Sequence, residues 1–491
     1  MDKQAILQSI IASSPEIIVV LGACLILIGS LFIKRNLGAW LTGTALIVIL
    51  TAAAVSFWVI NTSQAVFGNS FVIDPFALFF KAVILFSAAI TLLMSGRYLE
   101  QENIVEGEYH VLILFAVTGM MIMVSGLDLL VIYMGLELQA FSFYVLVGFR
   151  RKNPKSNEAA LKYVILGAVS SGIFLYGLSL VYGVTGTTQL TAISSAITQN
   201  STPDFLLILA VLFLLVGLLF KVGVVPLHMW VPDVYEGAPT PITAFLSVGS
   251  KAAAFAIILR IFLNSMTPLA DIWINIVIII SVLTMALGSF VALVQTNIKR
   301  MLAYSSIAHA GFLLLGLVAG GDEGISSVMF YLLIYAFMNF GLFAVVTMMQ
   351  REGSDNNLIE NYSGLASFHP GWAFLTLVFL FSLAGIPPTA GFFAKFYILV
   401  ALIEEGYVAL AVFAVLMSAV AAYFYIRIVM LMYMKEPIGK CELALSPAIR
   451  VVLGVTIVGT IGIGLAPVWF LTQAQSTVFS NVITLTSSFL S

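Results

Sequence analysis

Long unbroken apolar runs organise this chain, in place of strict alternation or a one-sided helical stripe. A hydrocarbon core is crossed by about 20 apolar residues in a helix. Runs of that kind fall near 15–33, 39–61, 74–95, 110–126, 128–148, 159–184 and 205–225, and then near 242–263, 272–295, 301–319, 325–349, 372–400, 406–433 and 450–474. They predict an all-α polytopic membrane protein of about fourteen transmembrane helices. The longest polar connections, near 96–109, 185–204 and 350–371, are too short to fold alone. Residues 1–491 therefore read as a single membrane domain.

Two runs are interrupted in comparable ways. "FKVGVVPLHMWVPDVYEGAPTP" places Pro226 five residues after Lys221, and "LAGIPPTAGFFAKF" places Pro387 and Pro388 ahead of Lys395. A proline inside a helix frees a backbone carbonyl and bends the chain. In lipid that is tolerated only where the freed groups are buried in protein or line a wet cavity. The broken helices are spans 7 and 12, each the fourth of a five-span group, spans 4–8 and spans 9–13. Five is odd, so the two groups enter the membrane from opposite sides, as an inverted repeat requires. The plainer alternative is a packing kink at each proline. The repeat reading divides the chain into N-terminal spans 1–3 (1–109), a first repeat (110–263), a second inverted repeat (272–433) and a final span (434–491).

Charge tests the span count. With both termini outside, the inner loops hold Lys34, Arg35, Arg97, Arg150, Arg151, Lys152, Lys155, Lys299, Arg300, Arg351, Lys435, Lys440 and Arg450, while the outer side holds only Lys3 and, at a span end, Arg260. Basic residues crowd the cytoplasmic loops of membrane proteins, and an odd number of spans would break this alternation. Composition agrees: 61% of residues are hydrophobic and 9% charged, with mean hydropathy +1.10, which excludes a water-soluble globule. Both termini are expected on the outer side of the membrane. The first run is long enough to span and lacks the layout of a cleaved signal. Cys24 and Cys441 make neither a disulfide framework nor a metal site. Phosphate loops, dinucleotide fingerprints and iron–sulfur spacings are missing from the sequence, so redox chemistry is expected in another polypeptide.

Candidate chemistry lies in charges stranded at depth. A charged side chain at a bilayer centre costs at least roughly 2.5 to 3.5 kcal/mol, so such residues mark ion or proton pathways. Glu137, in "YMGLELQAFSF", lies nine residues past Asp128, roughly 13 Å along a helix, and Lys221 is its best candidate partner. The alternative is a protonated Glu that merely joins helices. Lys251, in "SVGSKAAAFAII", and Lys395 also lie too deep for easy snorkelling. Lys162 is closer to an interface and can snorkel. Lys81 reads as structural, and Arg427 as snorkelling or binding lipid phosphate. His309, in "NIKRMLAYSSIAHAGF", and His228 can pass protons or be satisfied buried groups. His110 and His369 flank span ends and read as interfacial.

At these residues the chain resembles a known family. "GLELQAFSFYVLVGF", "FKVGVVPLHMWVPDVYEGAPTPITAFLSVGSKAAAFA", "QTNIKRMLAYSSIAHAGFLLLG" and "LAGIPPTAGFFAKFYIL" are similar to the proton-translocating antiporter-like subunits of respiratory complex I. The likeness is strongest to the N type, the bacterial counterpart of mitochondrial subunit 2. Lys395 favours N over M, where a Glu tends to stand, and Lys81 is a departure from the family. The resemblance implies a pump module with Glu137 and Lys221 as input ion pair, Lys251 as middle relay, Lys395 as outlet and His309 near the central axis. It implies no cofactor or metal in this chain. NADH, FMN, iron–sulfur clusters and quinone belong to partner subunits. The implied partners are the other membrane and peripheral subunits of the complex and the lipid bilayer, with no nucleic acid. Two rivals remain open: a cation/proton antiporter or membrane-bound hydrogenase subunit of the same fold, and a structural spacer that transports nothing.

Overall fold

Lipid offers the backbone no hydrogen-bond partner, so apolar runs of this length close their bonds internally as helices. The computed structural model describes residues 3–33, 37–60, 64–102, 104, 107–199, 205–349, 357–437 and 443–478. Lys34, Arg35, Arg351, Lys440, Cys441 and the stretch 479–491 lie outside the described residues.

Among the described residues, thirteen helices are long and apolar enough to cross a membrane. In chain order they begin with α1 (Ser14–Phe32), α2 (Leu37–Val59), α3 (Pro75–Gln101), α4 (Gly107–Ser125), α5 (Leu129–Val147), α6 (Pro154–Thr185) and α7 (Phe205–Val222). After a turn comes the short α8 (Trp230–Gly237). The series continues with α9 (Thr240–Ser265), α10 (Thr267–Leu293), α11 (Ile298–Ala319) and α12 (Gly321–Met348). The run expected as one broken span at 372–400 is a pair of fifteen-residue helices, α13 (Pro370–Ala384) and α14 (Ala390–Glu404). Neither alone is long enough to count as a crossing. The last two crossings are α15 (Val408–Met434) and α16 (Pro447–Leu465). The run expected at 450–474 is likewise divided, by Ala466 ahead of the helix Pro467–Ser476.

Local chemistry sets the ends. The side chains of Asp74, Asp128, Asn153, Asn297 and Ser446 accept hydrogen bonds from the first-turn amides of α3, α5, α6, α11 and α16, satisfying donors that a helix start leaves open. The first break falls where the sequence places it. Gly223 takes φ +74°, which favours glycine, directly after α7, and Pro226 follows. The polar connection 185–204 contains a helix, Leu190–Gln199, which buries Leu190, Ile193 and Ile197 along one side. A small hairpin, β1 (Gln64–Val66) and β2 (Phe71–Ile73), pairs Ala65 with Val72 between α2 and α3.

The five-span groups share two features. First, α4 crosses α5, and α10 crosses α11, at glycines. A Cβ on Gly119 would sit 2.5 Å from the Gln139 amide nitrogen, and one on Gly288 would sit 2.7 Å from that of Ala308. Small residues allow this close backbone approach, which drives helix association in lipid. Second, the residue ahead of the second helix of each group forms an isolated antiparallel bridge with the segment beyond the third, Asp128 with Gln189 and Asn297 with Leu358.

The centre of the bundle is α9, α11 and α12. Their most apolar stretches are 100%, 94% and 89% buried, against 33% and 28% for α1 and α2. Two buried ion pairs tie the N-terminal spans together and to this centre. Lys81 Nζ, on α3, lies 2.7 Å from Glu16 of α1. Arg260, expected at an outer span end, is instead buried inside α9. It meets Asp74 through two bonds of 2.9 and 3.0 Å and also donates to the Val124 carbonyl. Removing one partner of such a pair strands a charge, which costs about 3–5 kcal/mol, whereas replacing both with apolar groups is often neutral. Asp74→Asn is therefore expected to lower the melting temperature and the yield of the folded subunit, and Asp74→Leu with Arg260→Met to restore much of both, measured by thermal unfolding in detergent.

Candidate functional site

Three of the four deep charges, Glu137, Lys251 and Lys395, are held by side chains or carbonyls of a different helix. Glu137, on α5, accepts a hydrogen bond from Ser171 of α6 and is only half-buried within this chain. Lys221, in the last turn of α7, is 6% exposed. Its ammonium has no hydrogen-bond partner among the described residues. Glu137 is within electrostatic reach of Lys221, but the direct contact expected between them is not formed, because Glu137 turns toward the Ser171 hydroxyl.

Lys251 follows a stretch of π-helix, Leu246–Ser250, inside α9. Such one-residue expansions of an α-helix recur at functional sites. Lys251 is 4% exposed, and its ammonium donates to the backbone carbonyl of Ser306 at 2.6 Å and to the Ser306 hydroxyl at 2.5 Å. Tyr235 of α8 reaches the same hydroxyl at 3.3 Å. One turn further along α11, His309 bonds Tyr331 through Nδ1 at 2.6 Å and Tyr425 through Nε2 at 3.2 Å, and Tyr425 also bonds Ser305. Ser306, His309 and Phe312 recur every three residues and so share one side of α11. That side joins Lys251 to Lys395, whose ammonium lies 5.2 Å from the centre of the Phe312 ring.

Lys395, in α14, closes the line. Its Nζ donates to the Ala384 carbonyl at 2.9 Å, the Leu383 carbonyl at 3.3 Å and the Ser418 hydroxyl at 2.8 Å. Those carbonyls belong to the last turn of α13, where the helix dipole favours a cation. The break makes this possible. Gly385, at φ +86°, ends α13, and a Cβ there would lie 3.1 Å from Lys395 Cδ.

Several side chains of this region carry no sequence signal. Gln139 Nε2 donates to the Ser250 hydroxyl at 2.5 Å, and Asn339 Nδ2 to Ser247 at 2.6 Å. Outside the spans, Asp233 of α8 receives Lys162 at 2.7 Å and Arg300 at 2.8 Å, and Glu236 receives Arg300 and Lys155 at 3.0 Å. Lys162 thus has carboxylate partners at this end of α6. Burial alone would raise the Asp233 carboxyl, but hydrogen bonds from Lys162 and Arg300 outweigh it and hold it below the usual 3.8. Arg427 donates through Nη1 to the Leu293 carbonyl at the end of α10. His110, expected at the interface, is buried and bonds Thr42.

Residues 126–422 match the family described as NADH:quinone oxidoreductase/Mrp antiporter, transmembrane. A protein of Rhizobium meliloti (strain 1021) called NADH-quinone oxidoreductase subunit N 2 is 57% identical over 98% of this chain and 100% of its own length. The chain belongs to the subunit N family of NADH-quinone oxidoreductases. A chain of respiratory complex I from Thermus thermophilus superposes with TM-score 0.80 at 29% identity, covering 93% of this chain and 98% of that one. A chain of the Mrp complex from Dietzia sp. DQ12-45-1b superposes with TM-score 0.81 at 22% identity, covering 96% and 97%, and shares the fold.

Two predictions follow from this geometry. Because the Asp233 carboxyl is depressed, its stabilisation is present above about pH 3.8 and is lost as pH falls through its lower folded value. Asp233→Asn is expected to destabilise by about 1 kcal/mol at pH 7, discounted for partial exposure. Melting curves should show that gap closing as the pH drops below 3.8. Gly385→Ala forces a left-handed backbone costing about 1–2 kcal/mol and crowds Lys395. It is expected to reduce proton pumping by the assembled complex, measured by dye quenching in proteoliposomes.

Proposed function

We propose that the line of polar side chains from Glu137 through Lys221, Lys251 and His309 to Lys395 carries protons across and along the membrane for an NADH-quinone oxidoreductase. Family membership makes the chain a proton-translocating, antiporter-like membrane subunit of that multi-subunit enzyme, in the inner membrane of a bacterium. Electrons pass from NADH through flavin and iron–sulfur clusters to quinone in partner subunits, and this chain supplies no redox centre to that route. The observation that carries the relay is the side of α11 on which Ser306, His309 and Phe312 connect the two buried lysines.

The step is electrostatic. A carboxylate near a buried ammonium favours its charged form, and moving the carboxylate away favours release of the proton. Glu137 lies in reach of Lys221 without touching it, which suits a group that alternates between a lysine and a second partner. Its half-buried position on α5 suits cover by a neighbouring subunit, since a bare carboxylate facing lipid is costly. Input enters at Glu137 and Lys221, passes Lys251 and His309, and leaves at Lys395. The two five-span groups (110–263 and 272–433) form inverted repeats, flanked by spans 1–3 (1–109) and a final span (434–491). The paired glycine crossings and the paired bridges at Asp128 and Asn297 support this division. Both termini face the periplasm.

The Mrp likeness, at 22% identity, keeps a cation/proton antiporter as the second reading. Co-purification separates the two, since iron–sulfur partner chains mean complex I. Against a mere spacer, Glu137→Gln and Lys221→Ala are expected to lower NADH-driven proton pumping about tenfold, equivalent to about 1.4 kcal/mol, and to slow quinone reduction with it. Lys395→Ala should do the same without loss of assembled complex. Full pumping in Glu137→Gln and Lys221→Ala would sink the relay.

A further inference from the structure

The relay as drawn leaves one gap, between the Glu137 end on α5 and Lys251 on α9, and the polar contacts around the π-helical stretch lie in that gap. Gln139 sits two residues from Glu137 on the same helix and is buried. It gives its amide hydrogen to Ser250, the last residue of the π-helix, at 2.5 Å. Lys251 follows immediately. On the other side of the stretch, Asn339 of α12 holds Ser247 at 2.6 Å, and Ser247 itself donates to the Ala244 carbonyl at 2.8 Å. Two amides on two different helices thus grip the two serines of one π-turn, and both serines are buried.

A π-turn is a one-residue expansion of an α-helix, and exchanging an i→i+5 bond for an i→i+4 bond at one end and the reverse at the other moves it along the chain. When it moves, each residue it passes takes its neighbour's place, turning by about 100° and moving about 1.5 Å along the axis. Lys251 is the first residue beyond the stretch, so a one-residue slide toward the C-terminus swings its ammonium off the Ser306 carbonyl and hydroxyl. Nothing in the intrinsic preference of "LSVGS" fixes the expansion at these residues rather than one later. The cross-helix bonds to Ser250 and Ser247 do.

We propose that Gln139 is a positioning residue of the relay: its bond to Ser250 pins the π-turn in register, holds Lys251 on Ser306, and ties that lysine to the helix that carries Glu137. A displacement of α5 that accompanies a change at Glu137 is then transmitted to the direction in which Lys251 points. The proposal rests on the relay reading above.

The test uses the whole complex in proteoliposomes and reads protons delivered per NADH oxidised, normalised to the amount of assembled complex. Gln139→Leu keeps the volume and removes the donor, and Ser250→Ala removes the acceptor. Each is expected to show most of the loss seen in Lys251→Ala. Ser250→Thr, which keeps the hydroxyl, should retain the ratio, and the double variant Gln139→Leu/Ser250→Ala should be no worse than either single one, because both remove the same bond. If both single variants pump with the normal ratio while Lys251→Ala does not, the pinning role is overturned and the relay stands. A normal ratio in Lys251→Ala overturns the relay and this proposal with it. A lower yield of complex at an unchanged ratio assigns Gln139 to packing alone and also overturns it. Should Gln139→Leu fail to assemble, the contrast between Ser250→Ala and Ser250→Thr decides, and equal ratios in those two refute the role.

Discussion

A charge inside a bilayer has to be answered by the protein, because lipid will not answer it. That constraint organises this molecule more than any apolar contact does. Apolar packing between helices is indifferent to which leucine meets which, so the specific arrangement comes from the points where polar groups meet. Arg260 finds Asp74 and the Val124 carbonyl, Lys81 finds Glu16, Lys251 finds Ser306, and Lys395 finds the end of a broken helix. The first three join helices that are distant in the chain, the last joins two consecutive half-helices, and each fixes a depth as well as a neighbour. The ion pairs hold the N-terminal spans to the bundle, and the lysine contacts define the line along which protons are proposed to move.

The two kinds of buried charge differ in what their partners allow. Arg260 meets a carboxylate through two bonds and is locked. The three relay lysines meet no carboxylate within ion-pair distance among the described residues, only carbonyls, hydroxyls and aromatic rings. Neutral acceptors stabilise an ammonium less than a carboxylate does. The lysines are therefore supported well enough to be buried and loosely enough to change state. Lys221, with no hydrogen-bond partner among the described residues, is the extreme case, and it is the one within electrostatic reach of Glu137.

Much of this was readable from residue order, and the division is physical. Lys251 and Lys395 stand out because a lysine within an apolar run is expensive wherever its partner lies. The breaks stand out because proline and glycine act on their own backbone, and Gly223 and Gly385 sit where the chain turns. What stays hidden is the identity of partners, since Ser306 is 55 positions from Lys251 and Asp74 is 186 from Arg260. Serine and threonine can bond carbonyls of their own helix and glutamine carries no charge, so Ser250, Ser306 and Gln139 stand out less than a lysine until a second helix is laid beside them. His110 was misread for a related reason. Position near a span end suggests water or lipid headgroups, whereas here a neighbouring helix occupies that space.

The cradle of Lys395 has an arithmetic of its own. An ammonium carries three hydrogens, and three acceptors face it: two carbonyls of α13 and the Ser418 hydroxyl. A neutral amine carries two hydrogens and a lone pair, so after a proton leaves one acceptor is surplus. The carbonyls cannot become donors, but the serine hydroxyl can, and its oxygen already lies 3.4 Å from the Ala384 carbonyl. Rotation of a single O–H is enough to satisfy either count. The site can thus lose and regain a proton with no movement of its heavy atoms, and the charge of this lysine can change faster than the helices around it can shift.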